Sequence, residues 1–494
     1  MRNVSSKAGG ATVIDRAQRA REIDVPLVVD LDGTIVRSDV MLESLLLLAK
    51  GAPLRLIPAL SWLAQGRASF KKRLAQTIEP DVVTLPYDRD LIAWLEEEKR
   101  RGRKLVLATG ADASVAGEIG KHLGLFDLVF ASDGRINLTG DAKRARLVEE
   151  WGVHGFDYVA NGRRDVAVCA AARKTILVRP VNGLRAQIEK IGKIDRVFDD
   201  RPAWMNASLN AMRPHQWLKN MLVFFPLAVD SQLYEFSLLI HAFLAFIAFS
   251  LCASSGYLFN DLMDLPNDRR HPHKKDRPLP SGRLPVANAI ALMLLLPIGG
   301  FGLALLLPLP FIGALAAYFA LTLTYSLRLK DVVVLDILTL AVLYCLRVAG
   351  GAFAVNISPS PWLLGFCVFL FFSLALVKRY AELVVMRAAG AEHTQLRGYL
   401  FEDRELLAAL GGATGYLAAL VLGLYIGIRN SQDLHLYQLL WLDCLLLLYW
   451  ISYVWLMAHR GRMTDDPLVF ALRDHVSRIL IGIMAVVFIA ATMS

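Results

Sequence analysis

The chain has 494 residues, of which 55% are hydrophobic and only 20% charged, and it carries a formal net charge of +9. At roughly 150 residues per domain this length allows two or three domains. The mean hydropathy of +0.43 excludes a disordered or nucleic-acid-coating chain.

The apolar excess is uneven. Residues 1–215 read as soluble, whereas residues 216–494 hold repeated apolar stretches, each of about 20 residues and so long enough to cross a bilayer as a helix. Residues 1–24 form a polar tail without an apolar h-region, so no signal peptide is expected. Residues 25–184 alternate short β-branched runs with amphipathic helical patterns. The expected strands are Leu27–Asp30, Lys104–Ala108, Leu128–Phe130, Tyr158–Ala160 and Thr175–Val178. Such alternation predicts an α/β domain with a parallel sheet. An insertion at about Leu42–Gln76, broken by Gly51 and Pro53, reads as a small helical cap rather than a membrane-touching hairpin. Residues 185–212 read as a charged linker without a clear period.

Nine membrane spans are expected after the linker: Trp217–Val229, Phe236–Phe259, Leu284–Leu306, Phe311–Leu327, Val332–Val355, Trp362–Val385, Leu407–Ile428, Leu436–Met457 and Ile479–Met493. Basic residues collect in alternate loops, with Arg269, Arg270, Lys274, Lys275, Arg277 and Arg283 in one and Arg328 and Lys330 in the next. Lys378, Arg379, Arg387, Arg397 and Arg404 follow, and then Arg460, Arg462, Arg473 and Arg478. The intervening loops hold almost no positive charge, so the basic loops are expected in the cytoplasm. This predicts a multi-pass protein of the inner (cytoplasmic) membrane, its soluble domain on the cytoplasmic side and membrane lipid around its spans. No nucleic-acid partner is expected, and the oligomeric state stays open. Cys169, Cys252, Cys345, Cys367 and Cys444 make no CxxC pair, so neither a disulfide framework nor a zinc site is expected.

Two stretches carry chemistry. VVDLDGTIV places Asp30 and Asp32 at the end of a strand, one suited to attack phosphorus and the other to act as acid and base. Gly33 permits the turn, Thr109 offers a hydroxyl to a phosphoryl oxygen, Lys143 is a candidate charge neutraliser, and Asp165 is a candidate magnesium ligand. In SSGYLFNDLMDLPNDRRHPHKKDRPLPSG, Asn260, Asp264 and Asp268 fall at i, i+4 and i+8, and Asp261 and Asp268 lie seven apart. On a helix these groups share one face. Converging oxygens suit magnesium, and the adjacent basic loop suits a diphosphate. Within the spans, His241 and Asp443 read as structural, and Asp336 is a candidate structural partner for Arg347.

In order and spacing, DxDGT, Thr109, Lys143 and the acidic ANGRRD motif resemble the haloacid dehalogenase (HAD) phosphohydrolases over about 150 residues. The resemblance implies a Rossmannoid fold, an aspartyl-phosphate on Asp30, protonation of the leaving group by Asp32, and a metal held by Asp30, Asp32, Asn161 and Asp165. That last motif usually begins with Asp where this chain has Asn161, which ligates through oxygen but brings no charge.

NDLMDLPND resembles the first Asp-rich motif of the UbiA prenyltransferase superfamily, with the likeness covering about residues 213–494. RPHQWLKN, HPHKKDRPLPSG, YSLRLK, LRVAGG and KRYAEL resemble its polyprenyl-phosphate phosphoribosyltransferase branch. The fold class implied is a HAD-like α/β domain with a helical cap, followed by an all-α polytopic UbiA-like domain of about nine helices. The resemblance implies transfer of phosphoribose from 5-phosphoribosyl diphosphate (PRPP) to a polyprenyl phosphate, with diphosphate released. Magnesium (Mg2+) on Asn260, Asp261, Asp264 and Asp268 would take the diphosphate. Lys219, Lys275, Arg277, Tyr325, Lys330, Arg347, Lys378 and Arg379 are the candidate substrate-binding residues, with the soluble half removing the 5-phosphate for cell-envelope glycan synthesis. Two alternatives are a prenyltransferase with a prenyl diphosphate donor and an aromatic acceptor, and a non-catalytic scaffold anchoring a phosphatase. Against the aromatic acceptor, Asp331 and Asp336 are five apart and make no DxxxD.

Overall fold

The computed structural model describes residues 23–201, 204–229, 235–271, 274–388, 398–429, 438–463 and 466–492. The tail at 1–22, the loop segments at 230–234 and 430–437, and Pro272, His273, Arg397 and Met493 lie outside them. The chain divides into two compact units. One comprises the described residues up to Ala211 together with Asp261–Ile290, and the other comprises Met212–Asn260 and the residues from Ala291 onward.

In the first unit, β1 (Leu27–Val29) is followed by α1 (Val40–Gly51), α2 (Leu56–Leu63), α3 (Arg67–Thr77) and α4 (Arg89–Arg100). Then come β2 (Leu105–Asp112), α5 (Ala113–Leu123), β3 (Leu128–Ser132), α6 (Asp141–Trp151), β4 (Asp157–Ala160), α7 (Val166–Ala171) and β5 (Thr175–Val178). Residues 185–212 carry secondary structure of their own: α8 (Leu184–Ile191), β6 (Ile194–Phe198) and α9 (Trp204–Met212). All strand pairs are parallel, in the order β3-β2-β1-β4-β5-β6. Strands buried on both faces require apolar residues at every position. Accordingly Leu27 and Val29 pack into one core with Leu105, Leu107 and Ile176, and Val28 packs into the other with Val106, Tyr158 and Leu177. The inserted α1–α3 form a cap with a small core of its own, Leu48, Ala59, Phe70 and Leu74. Asp39 starts α1 by accepting the Leu42 N–H at 3.1 Å, an N-cap that satisfies an otherwise orphaned donor.

The remaining helices are α10 (Phe225–Val229), α11 (Phe236–Met263), α12 (Leu265–Arg270), α13 (Val286–Ala304), α14 (Leu309–Leu327), α15 (Leu335–Ala354) and α16 (Pro361–Ala388). After them come α17 (Arg404–Arg429), α18 (Leu440–His459), α19 (Pro467–Arg473) and α20 (His475–Thr492). Seven described helices, α11 and α13–α18, are long and apolar enough to span a membrane, and α19 with α20, bent by 86°, gives an eighth candidate if the pair counts as one span. The protein is a multi-pass membrane protein. Trp217–Val229, the first of the nine expected spans, is not one long α-helix but a 3-10 stretch (Pro214–Phe224) followed by the five-residue α10. At about 2.0 Å per residue for the 3-10 part and about 1.5 Å for the α part, the two together run on the order of 30 Å, comparable with the hydrocarbon thickness. The 3-10 stretch packs on α15 closely enough that a Cβ on Gly351 would lie 2.1 Å from the Val223 carbonyl oxygen. LRVAGG ends in glycine for that reason.

Candidate functional site

The α/β site is built at the carboxyl ends of the central strands. Asp30 follows β1 and donates its N–H to the Val159 carbonyl at 3.2 Å. Its carboxylate accepts from Lys143 Nζ at 2.7 Å, and that ammonium also donates to the Tyr158 hydroxyl at 2.9 Å. Tyr158 donates in turn to Asp165 at 2.9 Å, whose other oxygen accepts the Gly162 N–H at 3.1 Å. Asp32 accepts the Val40 N–H at 2.9 Å, which ties the DxD turn to the first residue of the cap. Thr109 is fully buried within β2, and its hydroxyl oxygen accepts the Ala111 N–H at 3.0 Å. Gly33 has φ +74°, and a Cβ there would lie 1.8 Å from Nδ2 of Asn161, so the Asn161 side chain lies over the turn that glycine permits.

Burial raises the pKa of Asp30, against the opposing Lys143 ammonium and with a further push from Asp165. Burial also raises Asp32, helped by the neighbouring Asp39 charge and opposed by the Val40 N–H. For Lys143, burial pulls the pKa down, but Asp30 and Asp165 outweigh it and raise it. The result is a carboxylate backed by a permanent ammonium, beside a carboxyl that holds its proton more readily than an ordinary Asp. That pairing suits nucleophilic attack on phosphorus followed by protonation of a leaving oxygen. Asp30, Asp32, Lys143, Asn161 and Asp165 all line one cavity of about 1200 Å³, whose lining does not include Thr109. Sequence reasoning missed Tyr158, the relay between Lys143 and Asp165, and Lys71 of α3, which reaches over to the Gly110 carbonyl at 2.5 Å and to Asn137 at 3.1 Å. Within SFKKRL, Lys71 carries no signal that separates it from its surface neighbours.

In the Asp-rich segment, the helix expected to carry Asn260, Asp264 and Asp268 on one face breaks. α11 ends at Met263, and Asp264 stands between it and α12. The Asp268 N–H still reaches the Asp264 carbonyl at 2.9 Å. Asp261 and Asp268, both buried, converge on one guanidinium nitrogen of Arg277 at 3.5 and 3.2 Å, and Lys274 lies 3.5 Å from Asp268. Asp264 pairs with Lys50 at 3.2 Å, and Lys275 is exposed. Among the described residues no three His, Cys, Asp or Glu side chains gather as a ready metal cage. Magnesium does not demand one, since it is held by one or two carboxylates plus substrate phosphates. Two carboxylates that share one cation position are hard oxygen donors, which fit that ion. The α/β donors Asp30, Asp32, Asn161 and Asp165 are likewise all oxygen.

The second unit holds its own polar cluster. Lys219 bonds Asp466 at 2.7 Å, Lys378 lies 3.5 Å from the same oxygen, and the Tyr344 hydroxyl donates to Asp466 at 3.4 Å. Arg347, buried in α15, donates to Asn220 at 2.7 Å and to the Tyr318 hydroxyl at 2.8 Å. Its expected partner Asp336 lies elsewhere, paired with Arg379 at 2.5 Å and accepting from Tyr399 at 2.6 Å. Arg379 is completely buried and also holds Glu382 at 2.5 Å and the Tyr325 hydroxyl at 3.0 Å. Arg379 and the half-buried Tyr325, both expected to bind substrate, are thus joined in one network with Asp336 and Glu382. Lys330 is buried and donates to Asn260 at 3.3 Å. Sequence reasoning missed Asp466, Asn220 and Tyr318, because their partners lie far away in the chain.

The UbiA prenyltransferase family profile matches residues 222–475. The chain is 33% identical to the uncharacterized protein y4nM of Sinorhizobium fredii, over 94% of this chain and 91% of that one. It is 35% identical to the nodulation protein NoeC of Azorhizobium caulinodans, over 55% of this chain and 88% of that one. A decaprenyl-phosphate phosphoribosyltransferase of Mycolicibacterium smegmatis is 36% identical over 37% of this chain and 59% of its own length. Among solved structures, a UbiA homolog from Archaeoglobus fulgidus bound to GPP and Mg2+ aligns with a TM-score of 0.45 at 15% identity, over 58% of this chain and all of that one. A phosphoserine phosphatase in apo form aligns with a TM-score of 0.27 at 16% identity, over 36% of this chain and 94% of that one.

Proposed function

Since the chain belongs to the UbiA prenyltransferase family, a family of membrane transferases, we propose that its reaction is transfer of 5-phosphoribose from PRPP to a polyprenyl phosphate. The α/β domain then removes the 5-phosphate from the lipid product. The observation that carries the transferase reading is the convergence of Asp261 and Asp268 on one cation position beside Arg277 and Lys274. That is a donor set for a metal-bound diphosphate with basic side chains to hand. The choice of donor and acceptor rests on the likeness to the decaprenyl-phosphate phosphoribosyltransferase, which this chain matches over 59% of that protein's length.

When bound at Asp261, Asp264 and Asp268, magnesium would supply charge to the departing diphosphate. The chain's own residues do the rest. Arg277, Lys274 and the exposed Lys275 hold phosphate oxygens. Lys219 and Lys378 bring two ammonium groups to one carboxylate, leaving positive charge to hold an anionic lipid head. The acceptor phosphate is already an anion near neutral pH and needs no strong base. In the α/β site, Asp30 attacks phosphorus, Lys143 holds charge at the carboxylate, and the proton on Asp32 goes to the leaving oxygen. Joining the two activities in one chain raises the local concentration of product at the second site. The positive-inside pattern of the loops supports a cytoplasmic side for them and for the α/β domain.

The test uses purified full-length protein, Mg2+, a polyprenyl phosphate, and PRPP labelled on the ribose and on the 5-phosphate. Ribose label in the lipid phase supports transfer, and loss of the phosphate label from that lipid supports the second step. Absence of ribose label from lipid with every polyprenyl phosphate tried would overturn the transferase reading.

A further inference from the structure

The cap of the α/β domain holds the Asp-rich segment through ion pairs that neither the phosphatase chemistry nor the transferase chemistry requires. Glu43 of α1 and Arg269 of α12 form a two-pronged pair, with both bonds 2.7 Å long. Their side chains are 7% and 6% exposed, so this is no surface contact of marginal value. The third donor of Arg269, Nε, reaches the Pro280 carbonyl at 3.1 Å. One guanidinium therefore fastens the start of the basic loop to its far end and both to α1. One α-helical face carries Glu43, Leu47 and Lys50, at i, i+4 and i+7. Lys50 reaches Asp264 at 3.2 Å, Leu47 lines the small gap against Leu262, Leu265 and Pro266, and Asp81 pairs with Arg270. Gly282, at φ +72°, closes the loop against the backbone of Arg37, where a Cβ would lie 2.5 Å from the Arg37 Cβ and 3.1 Å from its carbonyl oxygen. The segment is thus built onto the cap at both of its ends.

The consequence lies in sequence adjacency. Arg269 immediately follows Asp268, and Asp264 precedes it by one helical turn. Fixing Arg269 fixes the backbone that aims Asp268 at the position it shares with Asp261. We propose that Glu43 is a positioning residue for the metal-binding carboxylates. The α/β domain would hold the Asp-rich segment in its cation-binding shape, independently of the phosphatase chemistry at Asp30. This rests on the transferase reading only for its effect on turnover; the effect on cation binding does not.

The experiment uses full-length protein in an Asp30→Asn background, which removes the α/β nucleophile and one negative charge from that site. Mn2+ binding is followed by electron paramagnetic resonance, and amide exchange is followed across residues 261–283. Glu43→Gln keeps the shape and removes the charge. It should weaken Mn2+ binding roughly ten-fold or more, as losses of supporting groups around metal ligands do, and speed exchange across residues 261–283 while leaving β1–β5 protected. The exchanged pair Glu43→Arg with Arg269→Glu should restore a good part of both. In the transfer assay the Glu43→Gln variant should need correspondingly more Mg2+. Unchanged Mn2+ affinity in Glu43→Gln, with the exchange in 261–283 accelerated, overturns the proposal, because the clamp would then be lost without consequence for the carboxylates. If the wild type transfers no ribose, the transferase reading fails, while the Mn2+ and exchange results still decide the positioning role.

Discussion

Replacing Arg379 by methionine should destabilise the helical unit rather than weaken substrate binding. Arg379 and Asp336 are both completely buried and bonded at 2.5 Å. Glu382 at 2.5 Å and the Tyr325 hydroxyl at 3.0 Å take the remaining guanidinium donors. Without the arginine, Asp336 keeps only the Tyr399 hydroxyl at 2.6 Å as a side-chain partner for a buried charge. Removing one partner of a buried pair costs about 3–5 kcal/mol, a large part of the roughly 5–15 kcal/mol that holds a domain together. At roughly 2–4 °C per kcal/mol for a domain of this size, the melting temperature should fall by about 6–20 °C. The same network reaches Val334, a β-branched residue at φ +68° whose N–H donates to the Tyr399 hydroxyl at 2.7 Å. A β-branched residue adopts that conformation only when its surroundings impose it, so slackening Tyr399 should release it. The assay is tryptophan-fluorescence melting in detergent micelles, alongside the KM for PRPP. The double variant Arg379→Met with Asp336→Leu should recover most of the loss, since a buried pair replaced by apolar side chains is often neutral or better. An unchanged melting temperature in Arg379→Met, with KM for PRPP raised, would refute the structural assignment and return Arg379 to the substrate site.

Asp30→Asn should abolish loss of the 5-phosphate from the lipid product while leaving ribose transfer intact, as read by the two labels of PRPP. Asp268→Asn should do the reverse, lowering transfer by roughly a hundred-fold or more as for loss of a transition-state electrostatic group; chelation of Mg2+ should stop transfer in the wild type. Asp88 is subject to burial, which raises its pKa, but the Leu91 N–H, Arg179 and Arg37 outweigh burial and hold its carboxyl below the ordinary range. Its contribution to stability is therefore complete above the unfolded value of about 3.9 and is lost as pH falls through the lower folded value. The melting-temperature gap between wild type and Asp88→Asn should accordingly be widest near neutral pH and should close as the pH falls through the lowered folded value.

Much of the α/β unit was legible because its strands are buried on both faces. Continuous runs such as LVV and TILV are then required, and DxDGT follows one of them directly. β6 escaped notice because IDRVF is an edge strand with exposed charges, so half of its pattern looks like a linker. At Trp217–Val229 the sequence pattern reads as one helix, whereas the run is a 3-10 stretch followed by a short α-helix, and the packing of Gly351 against Val223 shows what holds it in place. In the candidate sites, groups close in sequence were readable. Asp30 with Asp32 and Asp261 with Asp268 are examples. Groups brought together by the fold were not: Asp336 meets Arg379 from 43 residues away and Tyr399 from 63, and Lys219 meets Asp466 from 247. Arg347 and Asp336 share one helix and one face, yet each finds a better partner on another element.

Asn161 is best understood from the charge around it. Asp30, Asp32 and Asp165 are brought to one cavity with Lys143 as the cation in direct contact with Asp30. Among these four groups, three carboxylates face one ammonium, while Lys71, Arg163 and Arg164 add positive charge to the walls of the same cavity. Burial and the Asp165 charge already push Asp30 upward. An Asp in place of Asn161 would add a fourth carboxylate beside the Gly33 turn and push Asp30 further upward, so that its ionised form would lean more on a bound cation. An asparagine offers the same oxygen without that charge. The residue that departs from the usual pattern of phosphohydrolases is therefore compatible with a nucleophile held ready by Lys143. Asn161→Asp should make 5-phosphate release more dependent on Mg2+ concentration. If release instead rises at every Mg2+ concentration, the charge argument fails and Asn161 is a weakened ligand.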